Sequence, residues 1–415
     1  MSLIRPFAAL RPVKEHVADV IAPPYDVLNT EEARCRVEGR PDSFLHISKP
    51  EIDLPEGTDP FASQVYAKGA ENLQRLINEK ILFRENSPCY YVYRLIMGEH
   101  VQTGLVAVGS VEDYDSNRIR KHEFTRPEKE DDRVRQIDAL NAQTGPVFLT
   151  YRQNVSVDAV VAKVSATTAE YDLQADDGVQ HTLWVVDAAE DIKTLTDTFD
   201  AMDCLYIADG HHRSAAGSRV AAMRRESGQN TTASDYFLSV IFPDNQMKIL
   251  DYNRVVKDLN SMTETDFLAA VEKSFTLEKS EQAVSPASTL EFGMYLNGCW
   301  YRLNINTDLV PGSDDPVGKL DVSLLQNNLI SPLLGIGNPR VDKRIDFVGG
   351  IRGLAELEKR VDSGEMAVAF SLYPTVLNDL MAVADANEVM PPKSTWFEPK
   401  LADGLVSHVL DDKGC

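Results

Sequence analysis

Two adjacent β-rich segments restrict the folds that this chain can adopt. Residues 90–97 and 101–111 are rich in Tyr, Val, Leu and Ile, and Gly98, Glu99 and His100 separate them. Short apolar runs joined by a glycine-containing turn are typical of an antiparallel hairpin. The sheet predicted for this chain therefore cannot be purely parallel.

Extended and helical segments alternate along the rest of the sequence. Apolar residues recur on one side of a 3.6-residue repeat within 61–80, which predicts a helix there. A second helix is predicted from about Glu128, with Pro127 in its first turn. Further strands are predicted at 147–151, 182–186, 205–208 and 237–242. We expect an α+β fold, with a mixed sheet and flanking helices.

The composition is strongly acidic, with a formal net charge of -22 over 415 residues. A surface of that sign repels polyanions and argues against a nucleic-acid partner, although a few local cations can still bind a small anion. The apolar runs are far shorter than the roughly 20 residues that span a bilayer, and the first residues lack the apolar segment of a secretory signal. We expect a cytoplasmic protein that does not associate with membranes.

The residues around Asp209 predict a strand, a turn and a helix in direct succession. The apolar run 205–208 predicts a buried strand, Asp209 and Gly210 predict the turn, and 214–227 predicts the helix. Glycine lets the backbone approach a ligand closely, and a helix start presents N–H groups and a partial positive charge. This segment therefore has the features of an anion-binding site.

Three polar side chains follow the turn directly. His211, His212 and Arg213 add donors to the same corner, and Arg213 is suited to bidentate contact with a phosphate. Asp209 can hold a metal ion or accept a hydroxyl proton. Two other interpretations stay open: Asp209 is a simple helix cap with the histidines at the surface, or the histidines contribute to a zinc site. Cations at a helix start oppose its dipole, and a bound anion relieves that conflict.

A dense mixture of both charge signs precedes this motif at 119–135. As a solvated helix face with i, i+4 ion pairs, it needs no ligand. The part before Pro127 instead favours a binding loop, because polar groups gather there without helical periodicity. The candidates for proton transfer or magnesium binding are His122, Glu123, Glu130 and Asp131. The candidates for phosphate binding are Arg126 and Arg133.

Two proline-rich loops carry further polar side chains. Residues 22–26 predict a rigid turn that presents Tyr25 and Asp26, and as a plain turn it needs no function. Residues 390–400 are stiff, aromatic and basic, which is consistent with a phosphate nest or a lid. Their candidate ligand-binding residues are Lys393, Ser394, Thr395 and Lys400. The Lys-Ser-Thr element is similar to the end of a P-loop, but the upstream glycines of that motif are absent.

Four segments together resemble a known protein family. The segments are 22–27, 119–133, 208–213 and 390–400, and the family is a group of bacterial and archaeal proteins called domain of unknown function 1015. The resemblance covers essentially the whole chain and implies no settled activity. Members are often described as similar to ParB, but the acidic charge of this chain argues against chromosome binding.

Residues 209–216 carry a second, local resemblance. They are similar to the glycine-to-arginine phosphate motif of ParB-type nucleotide-binding domains, sulfiredoxin and the ParB-like free serine kinases. Those proteins bind nucleotide phosphates at a helix start, and by this likeness Gly210, His212 and Arg213 would contact phosphate. The kinase members use a carboxylate to activate the substrate hydroxyl. The sulfiredoxin cysteine is missing here, so sulfinic-acid reduction is not implied.

These resemblances complete the hypothesis. Residues 1–260 would form a ParB/sulfiredoxin-like nucleotide-binding region, and 261–415 a mixed α/β unit whose C-terminal segment returns to the site. We expect an enzyme that transfers a phosphoryl group to a small metabolite or catalyses phosphoryl hydrolysis on one. The reaction would depend on Mg²⁺ and a nucleotide, which is ATP, ADP or CTP. The alternatives are a non-catalytic nucleotide- or phosphometabolite-binding regulatory protein and, third, a ParB-like DNA-associated factor. The polar loops, including Lys393, are expected to line one cleft.

Overall fold

The computed structural model describes residues 2–312 and 314–412, which divide into two compact units. The first unit contains residues 2–247 and 399–412, and the second contains 248–398. The chain thus leaves the first unit, forms the second, and then returns to add a C-terminal segment to the first.

The strands of the described residues, in chain order, are β1 (Ile4–Arg5), β2 (Leu10–Pro12), β3 (Leu82–Arg84), β4 (Tyr90–Met97), β5 (His100–Ser110), β6 (Ile119–Arg120), β7 (Ala142–Gln143), β8 (Val147–Tyr151), β9 (Tyr171–Gln174), β10 (Gln180–Val186), β11 (Leu205–Asp209), β12 (Tyr236–Pro243), β13 (Lys248–Leu250), β14 (Tyr252–Val256), β15 (Phe275–Ser280), β16 (Glu291–Leu296), β17 (Cys299–Ile305), β18 (Ile345–Gly349), β19 (Val368–Leu372), β20 (Trp396–Glu398) and β21 (His408–Val409).

The α-helices of the same residues are α1 (Val17–Val20), α2 (Thr30–Val37), α3 (Leu45–Ser48), α4 (Ser63–Asn78), α5 (Val111–Asp115), α6 (Pro127–Leu140), α7 (Val155–Ser165), α8 (Ala189–Asp200), α9 (His211–Ser227), α10 (Glu264–Val271), α11 (Asp321–Leu325), α12 (Ser331–Leu334), α13 (Leu354–Asp362) and α14 (Leu377–Asp385).

The main sheet of the first unit is mixed, in the order β6-β11-β8-β12-β5-β4-β10-β9, with β1 paired to β5. The predicted hairpin is confirmed: β4 and β5 are antiparallel, and Tyr91 lies opposite Val106. Two pairs are parallel, β6 with β11 and β8 with β12. Because β6 and β11 run in the same direction, their carboxyl ends meet at one edge of the sheet.

Helix α9 is held close to this sheet by small residues. Ala216 and Gly217 are buried, and a Cβ on Gly217 would lie only 3.2 Å from the Cβ of Phe237 in β12. On another side, Ala216 and Val220 pack with Val134 of α6 in a small apolar cluster. These contacts leave little freedom for the start of α9, because packed interiors do not deform easily.

The second unit is built on an antiparallel sheet in the order β15-β17-β16-β19-β14-β18. Its core includes Val255, Trp300 and Ala369 from the strands and Leu357 from α13. A separate short ladder joins β13 to β20. This unit therefore contains both strands and packed helices.

The predicted fold class, α+β with a mixed sheet and flanking helices, is confirmed. The helix predicted within 61–80 is α4, and the helix predicted with Pro127 in its first turn is α6. None of the helices in the described ranges combines the length and the apolar character needed to cross a lipid bilayer.

Candidate functional site

The junction between β11 and α9 is a strand, a single glycine and a helix. Strand β11 ends at Asp209, Gly210 has φ 96° and ψ 28°, and α9 begins at His211. The Gly210 carbonyl accepts the N–H groups of Arg213 and Ser214 at 2.9 and 3.0 Å. No side chain caps this helix, and its first turn contains no acidic residue. The positive end of the helix dipole is therefore not neutralised by a capping carboxylate.

The side chain of Arg213 folds back across this glycine. A Cβ on Gly210 would lie 3.1 Å from the Arg213 Nε and 3.2 Å from its Cζ. The guanidinium is largely buried, and its Nη1 donates to the carbonyl of Pro146, directly before β8. Burial opposes the charge, but Asp26 and Asp209 outweigh burial and raise the pKa of Arg213. This cation is consequently held in place at the start of α9.

Asp209 is bound by a lysine from the C-terminal segment. Its Oδ1 accepts the Gly210 N–H at 2.8 Å, and its Oδ2 lies 3.1 Å from the Nζ of Lys400. Burial favours the neutral acid, but the charges of Lys400 and Arg213 dominate and hold the pKa of Asp209 well below its usual range. Asp209 therefore stays ionised and is a poor proton acceptor at neutral pH.

His122 and His211 form a buried pair of neutral rings. Their centroids are 4.4 Å apart at an interplanar angle of 85°, and the His122 backbone N–H donates to the His211 Nε2 at 3.4 Å. Burial lowers the pKa of His122 to about 4 and that of His211 well below its usual value. The His122 Nδ1 is buried without a hydrogen-bond partner. The electrostatic conflict expected from cationic histidines at a helix start is absent.

His212 faces the loop that precedes α6. Its Nε2 accepts the backbone N–H of Arg126 at 3.0 Å, which leaves the proton on Nδ1 as a donor. Burial, and then the charge of Arg126, lower the pKa of His212. The Arg126 side chain is exposed. The loop and the helix start are thus joined through a neutral imidazole.

Two of the predicted carboxylates contact an arginine of α9. The Nη1 of Arg219 lies 2.9 Å from the Oε1 of Glu130 and 2.7 Å from the Oδ1 of Asp131. Thr125 donates its hydroxyl to the Oε2 of Glu130 at 2.8 Å. These contacts join α6 to α9, and a part for either carboxylate in proton transfer or magnesium binding stays a prediction. Glu123 is exposed, with its Oε2 3.9 Å from the Nδ1 of His211.

The N-terminal turn and α6 meet through an aromatic contact. The guanidinium carbon of Arg133 lies 3.9 Å from the centre of the Tyr25 ring, and its Nη2 lies 2.6 Å from the Oδ2 of Asp132. The other oxygen of Asp132 accepts the hydroxyl of Tyr66 at 3.0 Å. Burial, opposed by the charge of Arg133, raises the pKa of Tyr25 to about 12. The adjacent Asp26 is exposed.

A small cavity lies beside Arg213 and contains a carboxylate that the sequence did not single out. The cavity volume is about 30 Å³, and its lining includes Tyr25, Arg133, Gly145, Arg213 and Asp403. Asp403 is 1% exposed. Such a volume holds one or two water molecules or the end of a small ligand.

Metal binding has limited support in the donor set. Within residues 2–312 and 314–412, no three His, Cys, Asp or Glu side chains gather in a way that could hold a metal ion. Zinc, which needs such a cluster, does not fit the paired histidines. Mg²⁺ is often bound by one or two carboxylates together with substrate phosphates, and single carboxylates such as Asp209 are compatible with that mode.

A family model described as protein of unknown function (DUF1015) matches residues 4–323 of this chain. The chain belongs to this family. A search of curated proteins found no match. Lys400 and Asp403 lie beyond the matched range, in the C-terminal segment that completes the first unit of this DUF1015 member.

Several solved structures have a distant likeness to this DUF1015 chain. A free serine kinase in complex with AMP is 13% identical with a TM-score of 0.36, over 72% of this chain and 92% of that one. SbnI with a C-terminal truncation, from Staphylococcus aureus, is 11% identical with a TM-score of 0.39, over 72% and 86%. A conserved hypothetical protein from Pyrococcus furiosus is 14% identical with a TM-score of 0.34, over 75% and 97%. At these values the likeness does not establish a shared activity.

The candidate residues of the second unit have their own surroundings. Lys393 adopts φ 57°, and its Nζ lies 5.5 Å from the centre of the Tyr252 ring. Ser394 donates its hydroxyl to the Pro391 carbonyl at 2.7 Å, and its own carbonyl accepts the hydroxyl of Thr375. Thr395 follows directly before β20. The expectation that these residues share a cleft with the Asp209 motif stays a prediction.

Sequence reasoning missed Asp403 because its local signal is that of a turn. Asp403 and Gly404 form an Asp-Gly dipeptide in an otherwise apolar segment, and Gly404 has φ 90°. The signal in the sequence is a carboxylate within an apolar segment, because apolar segments are normally buried and a buried carboxylate is unusual. Lys400, three residues earlier, was selected for its charge.

Proposed function

We propose that this DUF1015 protein binds the phosphate groups of a nucleotide at the start of α9 and transfers or hydrolyses a phosphoryl group. The observation that carries the proposal is the helix start itself. It has a left-handed glycine, no acidic residue in its first turn, and the guanidinium of Arg213 folded across it. Backbone N–H groups, a helix dipole and a planar cation are the elements that bind phosphate in proteins.

The local charge balance supports an anionic ligand. Arg213 and Lys400 contribute two positive charges near the helix start, Asp209 contributes one negative charge, and His211 and His212 have lowered pKa values. Asp26 adds a second negative charge that acts on Arg213, so these groups nearly balance, in contrast to the formal charge of -22 of the whole chain. A phosphate bound here would meet two cations in a region that is far less acidic than the chain as a whole.

The chemistry that follows is positioning and charge neutralisation. Arg213 and the α9 N–H groups would hold phosphate oxygens, and the Nδ1–H of His212 would add a neutral donor. When bound, Mg²⁺ would supply further neutralisation of phosphate charge, held mainly by the phosphate oxygens with a carboxylate such as Asp209. Tyr25, Asp26, Arg126 and Arg133 would border the ligand from the N-terminal turn and α6.

The experiment is a binding and turnover assay on the full-length protein. ATP, ADP and CTP are titrated separately by calorimetry, each with Mg²⁺, and incubated mixtures are followed by phosphorus NMR. Binding with the appearance of a new phosphate resonance supports the enzyme. Binding without turnover instead supports the alternative, a nucleotide-binding regulatory protein. If no nucleotide and no inorganic phosphate binds, the proposal is wrong.

A further inference from the structure

Asp403 is anchored by its backbone next to the N-terminal turn. Its N–H donates to the Ala22 carbonyl at 2.9 Å, and its carbonyl accepts the Ala22 N–H at 3.1 Å. This two-way pairing places the side chain beside Tyr25 and in the lining of the cavity. The position of Asp403 is therefore determined by the main chain and does not depend on a side-chain partner.

Neither oxygen of the Asp403 carboxyl has a hydrogen-bond partner, although the residue is only 1% exposed. Buried carboxylates are normally hydrogen-bonded or ion-paired, because desolvation without compensation is costly. The charged groups around Asp403 are Arg213, Asp26 and Arg133, and the backbone N–H of Tyr25 also lies near the carboxyl, outside the geometry of a full hydrogen bond. A buried acceptor that lacks a full hydrogen bond, in a cavity with room for a small polar group, indicates a ligand that donates one.

The side chain of Arg213 borders both the cavity and the proposed phosphate position. The guanidinium lies across Gly210, where α9 begins, and the same side chain reaches Gly145 in the cavity wall. A Cβ on Gly145 would lie 3.3 Å from the Arg213 Cδ and 3.5 Å from the Asp403 Oδ1. A group in the cavity would therefore be next to a phosphate bound by Arg213, which is the geometry that a phosphoryl acceptor needs.

The other carboxylates of this region are less suited to accept a proton. Asp209 is held by Lys400, Glu130 and Asp131 contact Arg219, and Glu123 is exposed. Burial raises the pKa of Asp403 to about 7, against the opposing charge of Arg213. A carboxyl with that pKa can both take up and release a proton near neutral pH.

We propose that Asp403 is the proton acceptor of the reaction and that the cavity beside Arg213 receives the acceptor hydroxyl. The inference rests on the proposed function and names its acceptor: water or the end of an unbranched alcohol, which are the hydroxyl groups that a space of about 30 Å³ admits. The hydroxyl O–H bond breaks and its proton moves to Asp403, while the oxygen forms a bond to the phosphorus of a nucleoside phosphate. The bond from phosphorus to the leaving phosphate oxygen breaks, and that oxygen keeps the electron pair.

The test compares wild type with Asp403→Asn in the full-length protein. ATP, ADP and CTP, each with Mg²⁺, are incubated with water alone or with a panel of small unbranched alcohols, and products are followed by phosphorus NMR. We expect Asp403→Asn to bind the nucleotide within threefold of wild type and to lose at least 100-fold in turnover. Asp191→Asn is the control, because it removes another buried carboxylate, one paired with Lys163, and should keep full turnover.

Three results would overturn the inference. If Asp403→Asn turns over at the wild-type rate, Asp403 is not the proton acceptor and the proposed function still stands. If wild type shows no turnover at all, the proposed function fails and the role of Asp403 fails with it. The pH dependence of the wild-type rate decides the matter if the variant does not fold: we expect the rate to rise up to about pH 7 and then level, and a flat profile from pH 5 to 9 excludes the assignment.

Discussion

The Nζ of Lys400 lies 3.1 Å from the Oδ2 of Asp209, although 191 residues separate them in sequence. The contact ties the C-terminal segment to the junction between β11 and α9. Three residues further on, Asp403 pairs with the backbone of Ala22. The proposed site of the first unit is therefore assembled from the beginning, the middle and the end of the chain.

Arg213→Ala should weaken the binding of nucleotide or inorganic phosphate at least tenfold, or about 1.4 kcal/mol. The physical reason is the loss of the guanidinium that lies across the helix start. Calorimetry measures the dissociation constant. Arg225→Ala is the matched control, because Arg225 lies in the last turn of the same helix and pairs with Asp235. Equal affinity of Arg213→Ala and wild type would refute the assigned role.

Gly210→Ala and Gly228→Ala should separate backbone strain from ligand binding. Both glycines flank α9 with positive φ, 96° and 69°, so each substitution should cost about 1 kcal/mol or more in the free energy of unfolding. Only at Gly210 would the new Cβ crowd the Arg213 guanidinium, since nothing lies within 4 Å of the Gly228 position. Thermal melts should show both losses, whereas phosphate binding should fall for Gly210→Ala alone. A loss of binding in both variants would contradict this.

His122 and His211 should stay neutral well below the ordinary histidine pKa of about 6.5. Burial lowers the pKa of His122 to about 4 and that of His211 well below its usual value. Nitrogen chemical shifts across a titration from pH 8 to pH 5.5 should therefore report neutral rings at both positions. Because the unfolded chain binds these protons first, stability should fall as the pH drops below about 6.5. Protonation of either ring near pH 6.5 would exclude the buried pair.

Asp403 should make the folded protein less stable as the pH rises through neutrality. Its folded pKa of about 7 lies above the unfolded value of about 3.9, so the folded state binds the extra proton between these values. The stabilisation is fully present below about pH 4 and is lost as the pH rises through 7. Relative to wild type, Asp403→Asn should gain stability with rising pH, by up to a few kcal/mol, in thermal melts. If the difference in stability between Asp403→Asn and wild type does not change with pH, the shifted pKa is contradicted. Asp191→Asn, which removes a different buried carboxylate, is the reference variant.

Much of the secondary structure follows from local sequence. The hairpin of β4 and β5, the helix α6 and the succession of β11, Gly210 and α9 arise from patterns of a few residues, because turn residues and apolar periodicity act locally. The unusual backbone of Gly210 could also be anticipated, since a strand that passes into a helix within one residue favours glycine.

The protonation states of the site histidines and the ion-pair partners of the site carboxylates depend on the tertiary structure. Sequence alone suggested that His211 and His212 could carry positive charge, but burial lowers the pKa of both rings. The sequence does not distinguish the carboxylates Glu130 and Asp131 from the other acids of their segment. In the structure, Arg219 of α9 contacts both of them. A pKa depends on desolvation and on the charges within a few ångströms, and these come from distant parts of the chain.

The amino-acid sequence by itself determined the mixed fold class, the family and the position of the candidate phosphate-binding motif at the start of a helix, because each depends on local pattern. The tertiary structure decided which ionisable groups surround that motif. It brought Lys400 to Asp209 and left the carboxyl of Asp403 buried and unpartnered beside Arg213. Such contacts form only when segments far apart in the chain pack together, and burial then sets the charge of each group.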